Sequence, residues 1–118
     1  PEHADGSILH PGRLGADVTI EQGYEAARLA GINCLAGIRH ALGTLNGVQG
    51  IVRSLNFVVC APDFYDVHRV SSGATDLFVE VFGEEAGLGG RATIGVMTLA
   101  RNHCFENWLT VEVREPKQ

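Results

Sequence analysis

Two neighbouring stretches of the chain decide its fold: GGRATIGVMTL at residues 89–99 and FENWLTVEV at residues 105–113. Both are rich in β-branched and aromatic residues, which favours β-strands, so we predict two strands joined by a short loop. Arg91 lies at the start of the first strand and Glu106 at the start of the second. An arginine can bind a carboxylate through two parallel hydrogen bonds, and a nearby glutamate can transfer a proton or hold a water. This pair is the candidate chemical site of the chain.

The composition is that of an ordinary globular domain. The 118 residues are enough for one hydrophobic core, so we expect a single domain over residues 1–118. The net charge is −5 and the nine basic residues are scattered, which gives a nucleic acid no surface to bind. We expect neither a signal peptide nor a membrane-spanning segment, since no apolar run is long enough to span a bilayer. We therefore predict a cytoplasmic protein with neither a nucleic-acid nor a membrane partner.

The cysteines and histidines do not form a metal-binding pattern. The chain has an odd number of cysteines, and all three lie in apolar contexts: Cys34, Cys60 and Cys104. This pattern predicts reduced, buried thiols. His103 and Cys104 are close to Glu106, but their spacing does not match a zinc site, and adjacent residues of a strand point to opposite faces. We expect neither a metal nor another cofactor.

A long helix is predicted upstream of the strands, from Ile20 to Leu42. Its apolar residues recur at steps of three and four, which is the period of one helix face. Thr19 and Gln22 have the spacing of a capping box at its start, and Gly43 follows its end. Many of its apolar residues are small, which allows close packing against another element.

The middle of the chain predicts a strand and a second helix. Residues 51–60 are β-branched and aromatic, with apolar side chains on both alternating faces, so we expect a strand buried on both faces. The second helix is expected to begin with Asp63 as its cap and to end at Gly83. A break is expected near residues 71–73, and residues 83–90 are expected to form a glycine-rich loop.

The predicted order is therefore helix, strand, helix, strand, strand. This order indicates an α+β domain with a mixed sheet and two helices packed on one of its faces. The strand that follows Arg91 also has apolar residues on both of its faces. One face has Ile94 and Val96, and the other has Met97 and Leu99. Since two helices cover only one face, we expect the other face to be covered by another subunit.

With these elements in place, the chain resembles the RidA/YjgF family of small trimeric enamine and imine deaminases. The resemblance extends from Gly12 to Glu115, and its most specific part is RATIGV at residues 91–96 followed by Glu106. Further matching segments are GYEAAR at 23–28, IVRSLNFV at 51–58, DFYDV at 63–67 and FVEVFG at 78–83. The resemblance implies a chorismate-mutase-like fold and a homotrimer.

The resemblance also implies a reaction, the hydrolytic deamination of reactive 2-enamino or 2-imino acids formed by pyridoxal-dependent enzymes. Arg91 would hold the substrate carboxylate, and Glu106 would orient the water that attacks the imine carbon. Thr93, Asn102 and Asn107 would complete the substrate pocket, in a cleft shared with a neighbouring subunit.

Several departures from the family leave an alternative open. Family members begin with a further strand hairpin, and we expect that hairpin to be absent here because Pro1 would follow it. Thr93 stands where the family commonly has cysteine, and Thr75 where it often has asparagine. These differences favour a non-catalytic oligomer that binds a small carboxylate and regulates another process. A ribonuclease role, also attached to the family, is disfavoured because the chain is acidic.

A plainer interpretation of the two charged residues needs no site at all. Arg91 is equally well placed to form a surface ion pair with Glu84 or Glu85, and a carboxylate that begins a strand is usually solvated. The interpretations differ in what surrounds Arg91 in the folded chain.

Overall fold

The structure, a computed structural model, describes residues 1–114. Its elements follow the predicted order of helix, strand, helix, strand, strand. In chain order they are α1 (Ile20–Leu42), β1 (Val48–Val59), α2 (Val67–Gly87), β2 (Gly90–Val96), a 3-10 turn (Ala100–Asn102) and β3 (Phe105–Val113).

The three strands form one mixed sheet in the order β2-β1-β3. β1 pairs with β2 in parallel and with β3 antiparallel. The parallel pair is joined through α2, as a crossover connection requires. Both helices contribute to a single buried core with the sheet, so the predicted α+β architecture with two helices on one face is confirmed. β2 and β3 are consecutive in the chain, yet β1 separates them in the sheet.

The first helix has the predicted bounds and the predicted cap. The Thr19 side chain accepts a hydrogen bond from the Gln22 backbone N–H, and the Gln22 side chain accepts one from the Thr19 N–H. The helix ends at Gly43, whose φ of 80° is in the left-handed region that glycine adopts without strain. Small residues bring α1 close to α2, because a Cβ on Gly73 of α2 would lie 2.1 Å from the Tyr24 carbonyl oxygen.

The first strand begins earlier than predicted. β1 pairs from Val48 rather than residue 51 and ends at Val59, while Cys60 makes only an isolated bridge to Leu14. The pairing with β3 contains two register shifts, each with an extra residue in β1, and such bulges let pairing continue past an irregularity. The second extra residue, Val52, is 49% exposed, so it does not share the buried face as expected.

The second helix differs from the prediction at both ends. It begins at Val67, with Asp66 at the N-cap position and no side-chain cap hydrogen bond, so a cap at Asp63 is wrong. The break expected at residues 71–73 is also wrong, because Gly73 is helical and serves the close contact with α1. The interruption lies at Gly83, with φ 82° and ψ 168°, and one more helical turn then reaches Gly87.

The two faces of the sheet differ in burial. The side chains of β1 that face the helices, Ser54, Asn56 and Val58, are buried, whereas Leu55 and Phe57 on the opposite face are only half-buried. The expectation that this strand is buried on both faces is therefore wrong for the single chain. We call the face away from the helices the open face. By strand alternation and register it carries Arg53, Leu55, Phe57, Ala92, Ile94, Glu106, Trp108 and Thr110.

The chain leaves the sheet after β2 earlier than predicted. The strand ends at Val96, and Met97 is 82% exposed, so a strand that extends to Leu99 is wrong. The following 3-10 turn includes Arg101 and Asn102, with φ of 55° and 60°. This tight turn carries the chain across the end of β1 to begin β3 on its other side.

The cysteines are all free, but their burial is uneven. Cys104 is buried as predicted, whereas Cys34 and Cys60 are half-buried. Desolvation by burial raises the pKa of all three thiols, so each is protonated and weakly nucleophilic at neutral pH. None of the helices in the described part of the chain is both long enough and apolar enough to cross a membrane.

Candidate functional site

Arg91 lies on the helix-facing side of β2, where its side chain meets α2. Its Nη1 donates to Thr75 Oγ1 at 3.0 Å and to Ser72 Oγ at 3.4 Å. Ser72 and Thr75 are three residues apart and therefore lie on one face of the helix. Across the described residues Arg91 has no carboxylate partner, so the surface ion pair with Glu84 or Glu85 is not formed. Neutral hydroxyls hold the guanidinium on one side and leave its charge available to a ligand.

A groove next to Arg91 has the size of a small-molecule site. Its volume is about 300 Å³, at the lower end of the range of ligand pockets. Its lining is mixed: the polar residues are Arg91, Ser72, Thr75 and Ser54, and the apolar ones include Ile51, Phe78 and Leu88. Gly89 lets the chain pass close to β1 here, because a Cβ on it would lie 2.6 Å from the Ile51 carbonyl oxygen. A small acid with its carboxylate on Arg91 fits such a groove.

Thr93 lies on the same side of the sheet as Arg91, because the two are alternate residues of β2. Its Oγ1 is 2.8 Å from the Oγ of Ser71, which is fully buried. Thr93 is thereby held against α2, and the structure brings this predicted substrate-binding residue next to Arg91. The hydrogen bond occupies the hydroxyl within its own chain.

Asn107 takes part in a polar row that crosses the sheet beneath the helices. Thr93, Asn56 and Asn107 are cross-strand partners, and the Asn107 amide donates to Asn56 Oδ1. The Cys34 thiol of α1 donates to Asn107 Oδ1 at 3.3 Å. Asn56 is 1% exposed, and buried polar groups need such partners. The structure therefore places Asn107 in the helix–sheet interface, where its hydrogen bonds go to its own chain.

Glu106 lies on the open face of β3. Its side chain is exposed, its cross-strand partner is Phe57, and its Oε2 accepts a hydrogen bond from Trp108 Nε1 at 2.7 Å. A shallow groove of about 560 Å³ on this side is lined by Trp108, Leu55 and Ala92, and also by Arg91 of the edge strand β2, whereas Glu106 is not one of its lining residues. The glutamate thus stands on an exposed, partly apolar surface.

A single chain does not bring Arg91 and Glu106 together. Arg91 is in register with Ser54 of β1 and Glu106 with Phe57, and their side chains leave opposite faces of the sheet. Strand spacing and rise put their Cα atoms about 10 Å apart across the sheet and about 10 Å along it. The expectation that the glutamate is close to the arginine is therefore wrong within one chain. The cause is the strand order, which inserts β1 between the two strands.

Asn102 lies away from Arg91, at the other end of the sheet. It belongs to the 3-10 turn, is exposed, and accepts a hydrogen bond on its carbonyl from the Gly12 N–H at 3.0 Å. The neighbouring His103 has its Nε2 3.5 Å from a Glu2 carboxylate oxygen, and desolvation lowers the pKa of its imidazole. Within residues 1–114, no three His, Cys, Asp or Glu side chains are grouped as metal ligands.

The α2 residues that hold the arginine side of the site are not among the sequence-predicted site residues. The sequence predicts a helix break at Ser71 and Ser72, whereas in the structure both are hydrogen-bond partners of β2 residues. The sequence did indicate that these residues act together, because Ser72 and Thr75 are three positions apart and such residues lie on one face of a helix. Asn56 was also missed, although a lone asparagine within an apolar strand indicates a buried polar partner.

Comparisons with known proteins show the family. The family model described as "YjgF/chorismate_mutase-like, putative endoribonuclease" matches residues 2–109. Protein TCP17 of Trypanosoma cruzi is 39% identical over 88 residues, which are 75% of this chain and 55% of that protein. The match thus spans about half the length of that relative.

Three crystal structures share the fold. The protein Atu1372 of Agrobacterium tumefaciens, of unknown function, is 33% identical with a TM-score of 0.92, over 97% of this chain and 73% of that chain. A "putative endoribonuclease" of Shewanella oneidensis MR-1 is 32% identical with a TM-score of 0.89, over 94% and 73% of the two chains. E. coli TdcF with bound serine is 18% identical with a TM-score of 0.54, over 97% and 93%, and shows the fold alone.

These matches agree with the observed architecture of two helices on one face of a mixed sheet, so the predicted chorismate-mutase-like fold is confirmed. The chain belongs to the YjgF/chorismate mutase-like family.

Proposed function

We propose that this protein is a hydrolytic deaminase of reactive 2-enamino and 2-imino acids, with Arg91 binding the substrate carboxylate and Glu106 orienting the water. The observation that carries the proposal is the state of Arg91. Its Nη1 is held by Thr75 and Ser72, it has no acidic partner among residues 1–114, and it lines a groove of about 300 Å³. A guanidinium in this state binds a planar carboxylate with high geometric specificity. Serine, which carries a carboxylate, is bound in the TdcF structure of the same fold.

The separation of Arg91 from Glu106 supports a site shared between subunits of a homotrimer. The open face exposes large apolar side chains, among them Ile94 and Trp108, and such a face favours association. In a cyclic assembly, one patch of each subunit meets a different patch of the next. If the β2 side of one subunit packs on the open face of its neighbour, Arg91 meets the neighbour's Glu106. This arrangement turns two half-sites into one complete cleft.

The proposed reaction consumes one water and releases one ammonia. An enamine substrate first becomes its imine tautomer, whose carboxylate binds Arg91. The Glu106 carboxylate accepts a proton from water while the water oxygen bonds to the imine carbon, and it passes that proton to the imine nitrogen to give the carbinolamine. Glu106 then transfers the carbinolamine's hydroxyl proton to the amine nitrogen as the C–N bond breaks, so the nitrogen leaves with that electron pair as ammonia and the carboxylate is regenerated. A 2-oxo acid remains, and no oxidant or cofactor is needed.

The first test follows ammonia or pyruvate release from freshly generated 2-aminoacrylate. We expect the parent protein to accelerate release over buffer, and Arg91→Met and Glu106→Gln each to lose about 100-fold or more of that acceleration. Arg39→Met is the matched control, because Arg39 is an exposed arginine of α1 away from the groove. A parent protein no faster than buffer, or an Arg91→Met variant equal to the parent, would refute the proposal.

The second test asks whether the two residues act from different subunits. Arg91→Met and Glu106→Gln chains carrying different tags are co-expressed, and assemblies that carry both tags are purified. Each mixed trimer then contains one interface with an intact arginine and an intact glutamate, so activity should return to about a third of the parent value. Mixed assemblies that stay inactive would show that the site is not shared in this way.

A regulatory carboxylate-binding oligomer is the second candidate, because the arginine side of the site is complete without Glu106. In that case, pyruvate or 2-oxobutyrate would raise the melting temperature through Arg91, with no turnover of 2-aminoacrylate and no effect of Glu106→Gln. We do not propose RNA as a substrate, since the chain has a net charge of −5 and scattered basic residues. Cleavage of a single-stranded RNA that Arg91→Met abolishes would contradict this.

A further inference from the structure

Trp108 makes a directed contact with the proposed water-orienting carboxylate. Its Nε1–H donates to Glu106 Oε2 at 2.7 Å, although Trp108 itself is 64% exposed. We propose that Trp108 is a positioning residue that holds one carboxylate oxygen of Glu106 and leaves the other, Oε1, to accept the proton of the attacking water. This inference rests on the proposed role of Glu106.

The strand geometry makes this contact effective. Glu106 and Trp108 are two residues apart on β3, so their side chains leave the same face of the strand. An exposed glutamate otherwise samples many rotamers, and that freedom is lost whenever the carboxylate is held in one place. The tryptophan has only two side-chain torsions, and its cross-strand partner is the half-buried Leu55. The indole is thereby a rigid support for a flexible acid.

The chemistry of the indole suits a supporting role rather than a catalytic one. The Nε1–H is a donor only, so it cannot take the proton that Glu106 must accept. A hydrogen bond to an ionised carboxylate is stronger than one between neutral groups, so the indole can hold the carboxylate oxygen in one position. Packing against a neighbouring subunit would account for the position of the aromatic ring. It does not account for the aim of the N–H at the carboxylate.

The single tryptophan of the sequence permits a test at the level of one atom. Expression with β-(3-benzothienyl)alanine in place of tryptophan replaces the N–H with sulfur and keeps the shape of the ring. We expect kcat with 2-aminoacrylate to fall about tenfold, with KM within about twofold of the parent and an unchanged oligomeric state. Trp108→Phe should behave in the same way. Tyr65→Phe, at a residue that is 80% exposed elsewhere, should leave kcat unchanged.

A spectroscopic readout separates positioning from packing. The emission of Trp108 should differ between the parent and Glu106→Gln, because the indole N–H then faces an amide instead of a carboxylate. An identical emission in the parent and in Glu106→Gln overturns the contact.

Kinetics distinguish this inference from the proposal on which it rests. If Glu106→Gln loses turnover while the benzothienyl protein keeps the parent kcat, the role of Glu106 stands and the positioning role of Trp108 is overturned. If Glu106→Gln itself keeps the parent turnover, both roles are overturned together. Loss of kcat in both proteins, with a Trp108 emission that differs between the parent and Glu106→Gln, supports the inference.

Discussion

The two sides of the sheet present their functional groups in different ways. On the helix-facing side, the chain itself supplies the partners of Arg91 and Thr93, through the hydroxyls of Ser71, Ser72 and Thr75 on α2. On the open face, Glu106 has one hydrogen-bonded neighbour, Trp108, and the surrounding apolar surface is exposed. Folding alone therefore organises the arginine half of the proposed site. The proposed glutamate half would become enclosed only if another subunit covered it.

The proposed site would thus be divided between folding and assembly. Arg91 and Glu106 leave opposite sides of the pleat, and Glu106 does not line the groove that Arg91 shares with Trp108. A second copy would bring a carboxylate to Arg91 if its open face lay against the first copy's β2 side. Perturbations of the helix packing should consequently damage the arginine half, whereas perturbations of association should damage the glutamate half.

The largest expected effect comes from the contact that holds α2 against α1. A Cβ on Gly73 would lie 2.1 Å from the Tyr24 carbonyl oxygen and 3.0 Å from its carbon. Gly73→Ala must therefore push the two helices apart, at a cost of about 3 kcal/mol in the free energy of unfolding. Because Ser72 and Thr75 flank this position, the variant should also lose carboxylate binding by Arg91. Urea unfolding and thermal shift with pyruvate measure the two effects.

A matched glycine provides the control for this prediction. Gly37 lies in the interior of α1, and a Cβ there would meet nothing within 4 Å. Gly37→Ala should stabilise the protein by up to about 1 kcal/mol, since alanine is the better helix former. If Gly73→Ala and Gly37→Ala changed the free energy of unfolding in urea equally, the close contact of α2 with α1 would not be what stabilises the arginine half.

Substitution of Asn107 tests whether this residue belongs to the substrate site or to the buried core beneath the helices. Asn107→Ala leaves the buried side-chain oxygen Oδ1 of Asn56 without its donor, which should cost about 1–3 kcal/mol of stability. We expect kcat and KM with 2-aminoacrylate to stay within about twofold of the parent. Asn46→Ala, at an exposed loop residue, should change stability by less than about 0.5 kcal/mol.

The opposite outcome is equally informative for Asn107. A large rise in KM with unchanged stability would mean that the residue contacts the substrate, as the family resemblance implies. The hydrogen bonds to Asn56 and Cys34 would then have to open when the ligand binds.

The sequence was sufficient for elements whose signals are local. The bounds of α1 followed from Thr19, Gln22 and Gly43, since capping depends on residues next to one another in the chain. The strand over residues 105–113 followed from its β-branched and aromatic residues. At Gly73, however, local chemistry misled, because only the tertiary contact with Tyr24 explains why this glycine stays helical. At Gly83 the helical backbone is interrupted as predicted, although one more helical turn follows.

The site was only half predictable for the same reason. Arg91 could be singled out because glycines precede it and because an arginine side chain binds carboxylates well. The separation of Arg91 from Glu106 depends on β1 pairing between β2 and β3, and no pattern within the two strands encodes their neighbours. A spacing of fifteen residues along the chain therefore says nothing about distance across the sheet.

Thr75 offers the smallest and most selective perturbation of the arginine half. Thr75→Val keeps the shape of the side chain and removes the hydroxyl that accepts from Arg91 Nη1 at 3.0 Å. The guanidinium keeps its longer contact with Ser72, so it should remain in place but with more freedom. We expect KM for 2-aminoacrylate to rise about threefold to tenfold, which corresponds to about 1 kcal/mol of lost orientation, with little change in kcat.

Thr98→Val, at an exposed threonine outside the groove, is the isosteric control. Because Thr75 lies on the helix-facing side, its substitution should leave the emission of Trp108 on the open face unchanged. A fall in kcat, or a shifted Trp108 emission, would mean that the two faces are coupled within one chain, contrary to the division of the site between folding and assembly.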